Sequence, residues 1–260
     1  MLMIISPAKT FTKEEELISY KPLKFHEETQ QLIARLQNYS VEDLETQMKM
    51  SSALAKVNHQ RYAHFDKFLE GKPAIDYYYG EVFKAIEANT LTDETRQFMQ
   101  THLGILSGLY GYVKPLEVIK AYRLEMAFKF SKAKEDQLYT FWKEILTQYV
   151  LEELSQVSGE KVLINLASEE YSKVLDLKEI AKVYPVLNVQ FKVYKDGKYK
   201  AVSMYAKHAR GLMVRYICEH QIEEAKDMKA FDLEGYQFEE ALSTETDWVF
   251  VKNLMDRITD

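Results

Sequence analysis

Hydrophobic and polar positions follow two periods along the first half of the chain, and each period predicts a different element. Apolar residues recur at helical spacing from Phe25 to Gln37, which predicts a helix. The stretch Val41–Phe65 carries two serine caps and predicts a helix, a tight turn and a second helix. MLMIIS reads as a buried strand, PAIDYYY as strand-like, TLTDETRQFMQTHL as a capped helix, and YRLEMAFKF as a strand with alternating apolar residues.

The second half contains a longer helix, a hairpin and several strands. LYTFWKEILTQYVLEELSQV predicts an amphipathic helix, EKVLINLAS a buried strand, and GYQF and DWVFVKN two closing strands. Asp196-Gly197 marks a tight turn between two strands. Because the elements lack a strict βαβ rhythm, we expect an α+β fold. It would be one compact domain over residues 1–260, with a mixed β-sheet, surrounding helices and a helix-hairpin-helix-like element.

Composition narrows the class of protein. The 260 residues are 47% hydrophobic with a net charge of −6, and the few Gly and Pro residues form no linker. The single cysteine, Cys218, excludes an intrachain disulfide, and we expect an inert half-buried thiol there rather than a peroxide sensor. No signal peptide, long apolar stretch or metal-ligand spacing is present. We therefore expect a cytoplasmic protein with no membrane contact, cofactor, metal or obligate protein partner.

One segment departs from the acidic character of the chain. YAKHARGLMVRY, from Tyr205 to Tyr216, contains Lys207, Arg210 and Arg215 and no acidic residue. On a helix the three cations share a side that also holds Gly211, opposite the apolar residues. A glycine inside a helix costs about 1 kcal/mol relative to alanine. Its presence indicates either a close approach by a phosphate or close packing of a neighbouring strand, and the sequence leaves both open.

The same segment resembles a motif of the YaaA family of bacterial peroxide-stress proteins. Further blocks along the chain are similar to that family in the same order: ISPAKT, LSGLYG, YRLEM, LY-FW, INLAS-EY and EGY. One block departs from it, since the family's Gly-Asp-Val-Tyr-x-Gly reads Gly80-Glu81-Val82-Phe83-Lys84-Ala85 here. The resemblance implies an α+β domain with a positively charged cleft and a helix-hairpin-helix that binds double-stranded DNA. It also implies a cytosolic protein that protects against peroxide, with lowered intracellular free iron as the outcome.

The candidate phosphate contacts are the cations and hydroxyls near these motifs. The N-terminus of the second helix in Val41–Phe65 offers free N–H groups, although two helices packed across a plain turn explain that stretch equally well. Arg123 and Glu125 would project from one side of a strand, as an ion pair or as an arginine clamp. The predicted set for double-stranded DNA is Lys9, Thr10, Lys49, Ser51, Ser52, Lys56, Arg61, Arg123, Lys207, Arg210 and Arg215.

A rival hypothesis uses some of the same residues in an enzyme pocket for a nucleotide or nucleobase. Glu125 or Glu169 would be the acid or base, and Tyr110 or Tyr205 would stack on a ring. No nucleophile motif accompanies the serines, and Ser168 is explained as well by capping a helix. An iron-handling protein with oxygen ligands is a third, weaker reading. The predicted pocket set is Ser6, Ser107, Tyr110, Glu125, Ser168, Glu169 and Tyr205.

Overall fold

The computed structural model describes residues 1–67 and 69–254. Within them the strands run over short stretches, of which β8 and β11 are the longest. They are β1 Leu2–Ile5, β2 Ile18–Ser19, β3 Glu70–Pro73, β4 Leu103–Ser107, β5 Gly111–Val113, β6 Val118–Ile119, β7 Leu163–Asn165, β8 Val186–Lys195, β9 Lys198–Lys200, β10 Tyr236–Phe238 and β11 Asp247–Asn253.

The α-helices in the same residues surround the strands, and short 3₁₀ turns join several of them. The helices are α1 His26–Leu36, α2 Val41–Gln47, α3 Ser52–Ala63, α4 Ala74–Tyr77, α5 Glu81–Ile86, α6 Asp93–His102, α7 Leu138–Gln156, α8 Glu169–Ser172, α9 Leu177–Ala181 and α10 Ser203–Glu219.

The main sheet is mixed, with a parallel centre and antiparallel additions. Its order is β10-β11-β8-β7-β1-β4-β5, and β9 pairs with β8. The five strands from β11 to β4 are parallel, whereas β10, β9 and β5 run antiparallel to their neighbours. All four residues of β1 are buried, as in a strand covered on both faces. The α+β prediction with a mixed sheet is therefore confirmed.

Most predicted elements are confirmed, and two strand predictions are wrong. In PAIDYYY, only Pro73 ends a strand, and Ala74–Tyr77 form the short helix α4. A short apolar run buried on several sides gives no period that separates strand from helix. YRLEMAFKF forms no ladder strand; Lys129 makes only an isolated bridge. Its backbone instead contacts distant groups, including the hydroxyl of Tyr62.

One part of the sheet extends past its neighbours. Asn165, the last residue of β7, pairs with Asn188, and β8 continues seven residues further to Lys195. Seven strand residues span about 23 Å. β11 occupies one edge of this extension, so β9 lies on the other, above the carboxyl end of β7. The β8–β9 hairpin therefore projects from the carboxyl edge of the parallel strands.

Candidate functional site

The loops that follow the parallel strands meet at the carboxyl edge of the sheet, where mixed sheets commonly place ligand groups. Ser6 follows β1 and Ser168 follows β7. The Oγ atom of Ser6 donates to Oγ of Ser168 at 3.0 Å and accepts from the Ser168 backbone N–H at 2.8 Å. These two predicted pocket residues therefore lie together, and their hydrogen bonds join the loop after β1 to the loop after β7.

A charged triad of Lys9, Arg123 and Glu125 joins the loop after β1 to the segment that follows β6. The Nζ atom of Lys9 lies 2.8 Å from Oε2 of Glu125. Arg123 donates to Oε1 of the same carboxylate from Nε at 3.1 Å and from Nη2 at 2.8 Å. Arg123 also reaches the backbone oxygen of Lys9 at 3.4 Å. Two cations on one carboxylate leave the triad with a net positive charge, so it is both an ion pair and a cluster able to accept an anion.

The protonation of Glu125 follows from these contacts. Burial alone would raise the pKa of its carboxyl group, but the hydrogen bond and charge of Lys9, together with Arg123, bring that pKa below its ordinary value. The carboxylate is thus ionised at neutral pH. A general acid needs a raised pKa, so Glu125 does not suit that role.

The turn between α2 and α3 completes a cleft over the triad. Lys49 occupies the left-handed region at φ 50° and is exposed beside the cleft. The cleft has a volume of about 370 Å³. It unites residues 9, 49 and 123, which the sequence proposed separately; its lining is Lys9, Gln47, Met48, Lys49, Arg123, Glu125, Ala127 and Phe128.

The helix, turn, helix prediction for Val41–Phe65 is confirmed by α2 and α3. Ser40 caps α2 in a capping box with Asp43. Ser51 caps α3 by accepting from the Leu54 N–H at 3.4 Å, so this hydroxyl already has a backbone partner. That these helices form a DNA-binding helix-hairpin-helix stays a prediction.

The remaining predicted residues of this region have different surroundings. Ser52 and Lys56 are exposed on α3. Arg61 pairs with Glu14 at 2.8 Å, away from the cleft. Thr10 donates its hydroxyl to the backbone oxygen of Tyr79, which ties the loop after β1 to the start of α5.

Gly211 is a packing residue of α10. A Cβ atom at Gly211 would lie 2.1 Å from the backbone oxygen of Val82 and 2.7 Å from Cβ of Ala85. The close approach predicted from the sequence is confirmed as an approach by another backbone. The neighbour is helix α5 rather than a strand, and Gly211 is buried rather than open to a phosphate.

The three cations of α10 separate into different environments, which corrects the prediction of a single charged face. Arg215 bonds the backbone oxygen of Ile86 at 3.0 Å and pairs with Glu219 at 2.7 Å and Glu87 at 3.4 Å. It therefore fastens α10 to α5. Lys207 is exposed near the start of α5. The hydrogen bond from Lys84 lowers the pKa of the Glu81 carboxyl group, and the charge of Lys207 adds a smaller lowering.

Arg210 is half-buried beside the apolar side of α10. Burial lowers the pKa of its guanidinium, and its Nε atom is buried without a hydrogen-bond partner. No acidic side chain lies within ion-pair distance of it in residues 1–67 and 69–254. Arg210 thus has one buried donor, Nε, that no group in the described residues accepts.

Two predicted pocket residues lie in the core instead. Ser107 is fully buried, and its Oγ bonds the hydroxyl of Tyr122 at 2.7 Å and accepts from the Tyr110 N–H at 2.9 Å. The Tyr110 hydroxyl bonds the backbone of Lys120. Burial raises the pKa of Tyr122 to about 12, which leaves the network neutral. Ser107 and Tyr110 are therefore packing residues with no access to a ligand.

Apart from the contact between Ser6 and Ser168, the other predicted pocket residues have separate partners. Ser168 takes the N-cap position of α8, but its hydroxyl turns to Ser6 and makes no cap bond. Glu169 is 81% exposed and pairs with Lys173, whose hydrogen bond lowers the pKa of the Glu169 carboxyl group. Tyr205 is half-buried on α10 and stacks on no other ring in the described part of the chain. The pocket predicted as one set is therefore not assembled.

Two residues that shape the cleft escape sequence reasoning. Tyr62 on α3 is buried, and its hydroxyl contacts both the backbone N–H and the backbone oxygen of Arg123. A Cβ at Gly108 would lie 2.3 Å from the oxygen of Leu124, so this glycine lets the Arg123 segment approach β4. The glycines of the LSGLYG block were a signal for the close approach at Gly108. Nothing in the sequence marks the contact between Tyr62 and Arg123, because these partners lie 61 residues apart.

Other predicted features are placed as follows. Cys218 is fully buried, where the sequence predicted a half-buried thiol, and burial raises the pKa of that thiol, which suits an inert side chain rather than a peroxide sensor. Phe83, where the related family has tyrosine, packs on Tyr78 with ring centroids 5.0 Å apart. In residues 1–67 and 69–254, no three His, Cys, Asp or Glu side chains could together hold a metal ion. No helix of the same residues has the length and apolar character to cross a bilayer.

Comparison with known proteins identifies the family. The model of the family described as peroxide stress protein YaaA matches residues 1–242. A UPF0246 protein of Acaryochloris marina is 44% identical over 257 residues, which cover 97% of this chain and 100% of the relative. UPF0246 proteins of Colwellia psychrerythraea and Alteromonas mediterranea are 39% and 38% identical over 97% of this chain and 99% and 98% of their own lengths. The chain therefore belongs to the YaaA family of peroxide stress proteins.

Proposed function

We propose that this member of a peroxide stress family is a cytoplasmic protein that binds double-stranded DNA at the carboxyl edge of its sheet. The observation that carries the proposal is the convergence of Lys9, Lys49 and Arg123 around the single carboxylate of Glu125. Three cations and one anion give this cleft a local charge of +2 in a chain whose net charge is −6.

The geometry favours contact with the sugar-phosphate backbone. A cleft of about 370 Å³ accommodates a group of phosphate size, and the duplex would lie across its rim. Phosphate contacts orient a duplex without reading its sequence. Exposed Lys56 on α3 and Lys207 on α10 extend positive charge beyond the cleft. We therefore expect binding with little sequence preference and a steep dependence on salt.

A small-molecule ligand is the second candidate, because the volume of the cleft is also that of a typical ligand pocket. A nucleotide could place a phosphate on Lys9 and Arg123. The acid or base required for chemistry is less well supported: the pKa values of Glu125 and Glu169 are both lowered, and Glu169 is far out in solvent. The same residues therefore favour binding over acid–base catalysis.

The test is the affinity for a short fluorescent duplex, measured by anisotropy over a series of salt concentrations. We expect the logarithm of the association constant to fall linearly with the logarithm of salt concentration. The variant Lys9→Ala/Lys49→Ala removes two cations from the cleft. If each contacts a phosphate, the slope becomes shallower by about 2.

The matched control is Lys178→Ala/Lys182→Ala, which removes the same charge from α9 and the residue that follows it. This segment precedes β8 and so lies toward the opposite edge of the sheet. Its slope should equal that of the unmodified protein. Equal effects of both double variants would show a nonspecific charge effect and contradict the proposed site. A duplex that fails to bind at low salt would contradict the DNA proposal. In that case, a nucleotide that binds the unmodified protein and binds Lys9→Ala more weakly would favour the second candidate.

A further inference from the structure

The β8–β9 hairpin carries an exposed aromatic pair. Tyr194 and Tyr199 are directly opposed across the two strands, with ring centroids 5.0 Å apart. They are 38% and 46% exposed. Val202 and Met204, which follow the hairpin, are also exposed, so a continuous short stretch of chain presents large apolar groups to solvent. An exposed apolar patch of this kind marks an interaction surface.

The hairpin also carries unneutralised positive charge. Lys195 and Lys198 are directly opposed in the ladder, and both are exposed. Like charges at opposed positions destabilise a sheet. Neither these two lysines nor Lys192 makes an ion pair within the described residues, and the one acidic residue of the hairpin, Asp196, is taken by Lys200 at 3.1 Å. The arrangement is complementary to a polyanion.

We infer that the β8–β9 hairpin binds single-stranded nucleic acid. Tyr194 and Tyr199 would stack on unpaired bases, beside Lys192 on the same face of β8. Lys195 and Lys198 project from the opposite face beside the turn, where a strand that passes over the tip of the hairpin would place its phosphates. Every base has a flat π-face, so aromatic stacking beside a basic groove binds single strands without regard to sequence. A paired duplex hides those faces, so the tyrosine pair adds nothing to duplex binding.

The position of the hairpin joins this site to the proposed one. β9 lies above the carboxyl end of β7, on the edge that also holds Ser168 and the cleft. The inference therefore deepens the proposed function: the cleft would hold a duplex, and the hairpin would hold an adjoining unpaired strand. It rests on the proposed function only for this junction, since single-strand binding by the hairpin can be measured separately.

The test uses a fluorescent single strand of about fifteen thymidines and, separately, the short duplex, both by anisotropy. In Tyr194→Ala/Tyr199→Ala the affinity for the single strand should fall about tenfold or more, while that for the duplex changes less than about twofold. Tyr194→Phe/Tyr199→Phe keeps the rings and should bind like the unmodified protein. Lys195→Ala/Lys198→Ala should make the single-strand salt slope shallower by about 1.4, and Lys178→Ala/Lys182→Ala should leave it unchanged.

The outcomes separate the two proposals. Duplex binding with no single-strand binding, or single-strand binding that survives removal of both rings, would overturn the inference and leave the proposed function standing. Single-strand binding that requires the rings, in a protein that does not bind duplex, would support the inference and defeat the proposed function. Binding of anionic lipid vesicles in place of single strands would overturn the inference in favour of a membrane surface. Thermal unfolding of each variant checks that the fold is intact.

Discussion

Helix α10 and the β8–β9 hairpin are consecutive in the chain and both rich in cations, yet the structure uses their charges differently. Arg215 of α10 is 19% exposed and binds Glu219, Glu87 and two groups near the end of α5. Lys195 and Lys198 of the hairpin have no acidic partner in the described residues. A basic segment therefore offers fully available charge only where no carboxylate meets it.

The largest expected effect concerns packing of α10. Gly211→Ala should lower the free energy of unfolding by about 2 kcal/mol, because its Cβ would lie 2.1 Å from the Val82 backbone oxygen. Helix propensity alone predicts the opposite sign, a gain of about 1 kcal/mol. For a chain of this size the melting temperature should drop by roughly 4–8 °C in calorimetry.

The matched control for this prediction is a glycine of the hairpin. Gly197 has a φ of 72°, and a Cβ there would meet nothing within 4 Å. Gly197→Asn should therefore cost well under about 1 kcal/mol, since asparagine tolerates the left-handed region. A Gly211→Ala protein that is as stable as the unmodified one would contradict the packing role and reopen Gly211 as a site of phosphate approach.

The second prediction compares the stability effect of removing a paired cation, Arg215, with that of removing two unpaired cations, Lys195 and Lys198. Arg215→Ala should lower the free energy of unfolding by about 1.5 kcal/mol, because it removes charge-assisted hydrogen bonds to Ile86 and Thr90. Lys195→Ala/Lys198→Ala should change it by less than about 0.5 kcal/mol, toward higher stability if the two opposed charges repel. Chemical denaturation measures both values.

Nucleic-acid binding should rank these variants in the reverse order. Arg215→Ala should leave the salt slope for duplex and single strand unchanged, whereas the hairpin variant makes the single-strand slope shallower. If Arg215→Ala weakens binding without loss of stability, the contrast between the two segments is wrong.

The sequence predicted much of the fold because the evidence for it is local. Period, caps and the Asp196-Gly197 turn gave α2, α3, α7, α10 and the hairpin. The wrong strand at YRLEMAFKF has a physical cause. Its apolar alternation is real, since Tyr122, Leu124 and Met126 are buried, but the backbone is held by Tyr62 rather than by a neighbouring strand.

The sequence predicted individual residues of the candidate site, but it did not predict which of them lie together. Lys9, Lys49 and Arg123 were named separately from local motifs, and the fold brings them to one cleft. Ser107 and Tyr110 were predicted to line the enzyme pocket with Glu125, because no local pattern shows whether a hydroxyl faces a cleft or a buried tyrosine network. Pairing of cations by distant carboxylates, such as Glu87 with Arg215, is equally invisible in the sequence.

The last prediction tests whether the positive charges of the cleft triad are paired, like that of Arg215, or available to a ligand, like those of the hairpin lysines. Lys9 and Arg123 hold the pKa of the Glu125 carboxyl group below its ordinary value despite burial. A group whose pKa is lower in the folded than in the unfolded protein stabilises the fold above its unfolded pKa, and this contribution is lost as pH falls through the folded pKa. Glu125→Gln should therefore lower the free energy of unfolding by about 1 kcal/mol at pH 7.

The difference in the free energy of unfolding between Glu125→Gln and the unmodified protein should shrink as the pH falls from about 5 to below the pKa of Glu125 in the folded protein. Urea denaturation at each pH measures it. The same variant releases Lys9 and Arg123 from their shared carboxylate, so its affinity for duplex should rise and its salt slope steepen by up to about 1. Tighter binding together with lower stability would place the triad between Arg215, whose charge is paired, and the hairpin lysines, whose charge is available. Lys9 and Arg123 would then be cations that a carboxylate orients and that a phosphate can still reach. Weaker binding would show that Glu125 must position Arg123 before any phosphate is bound.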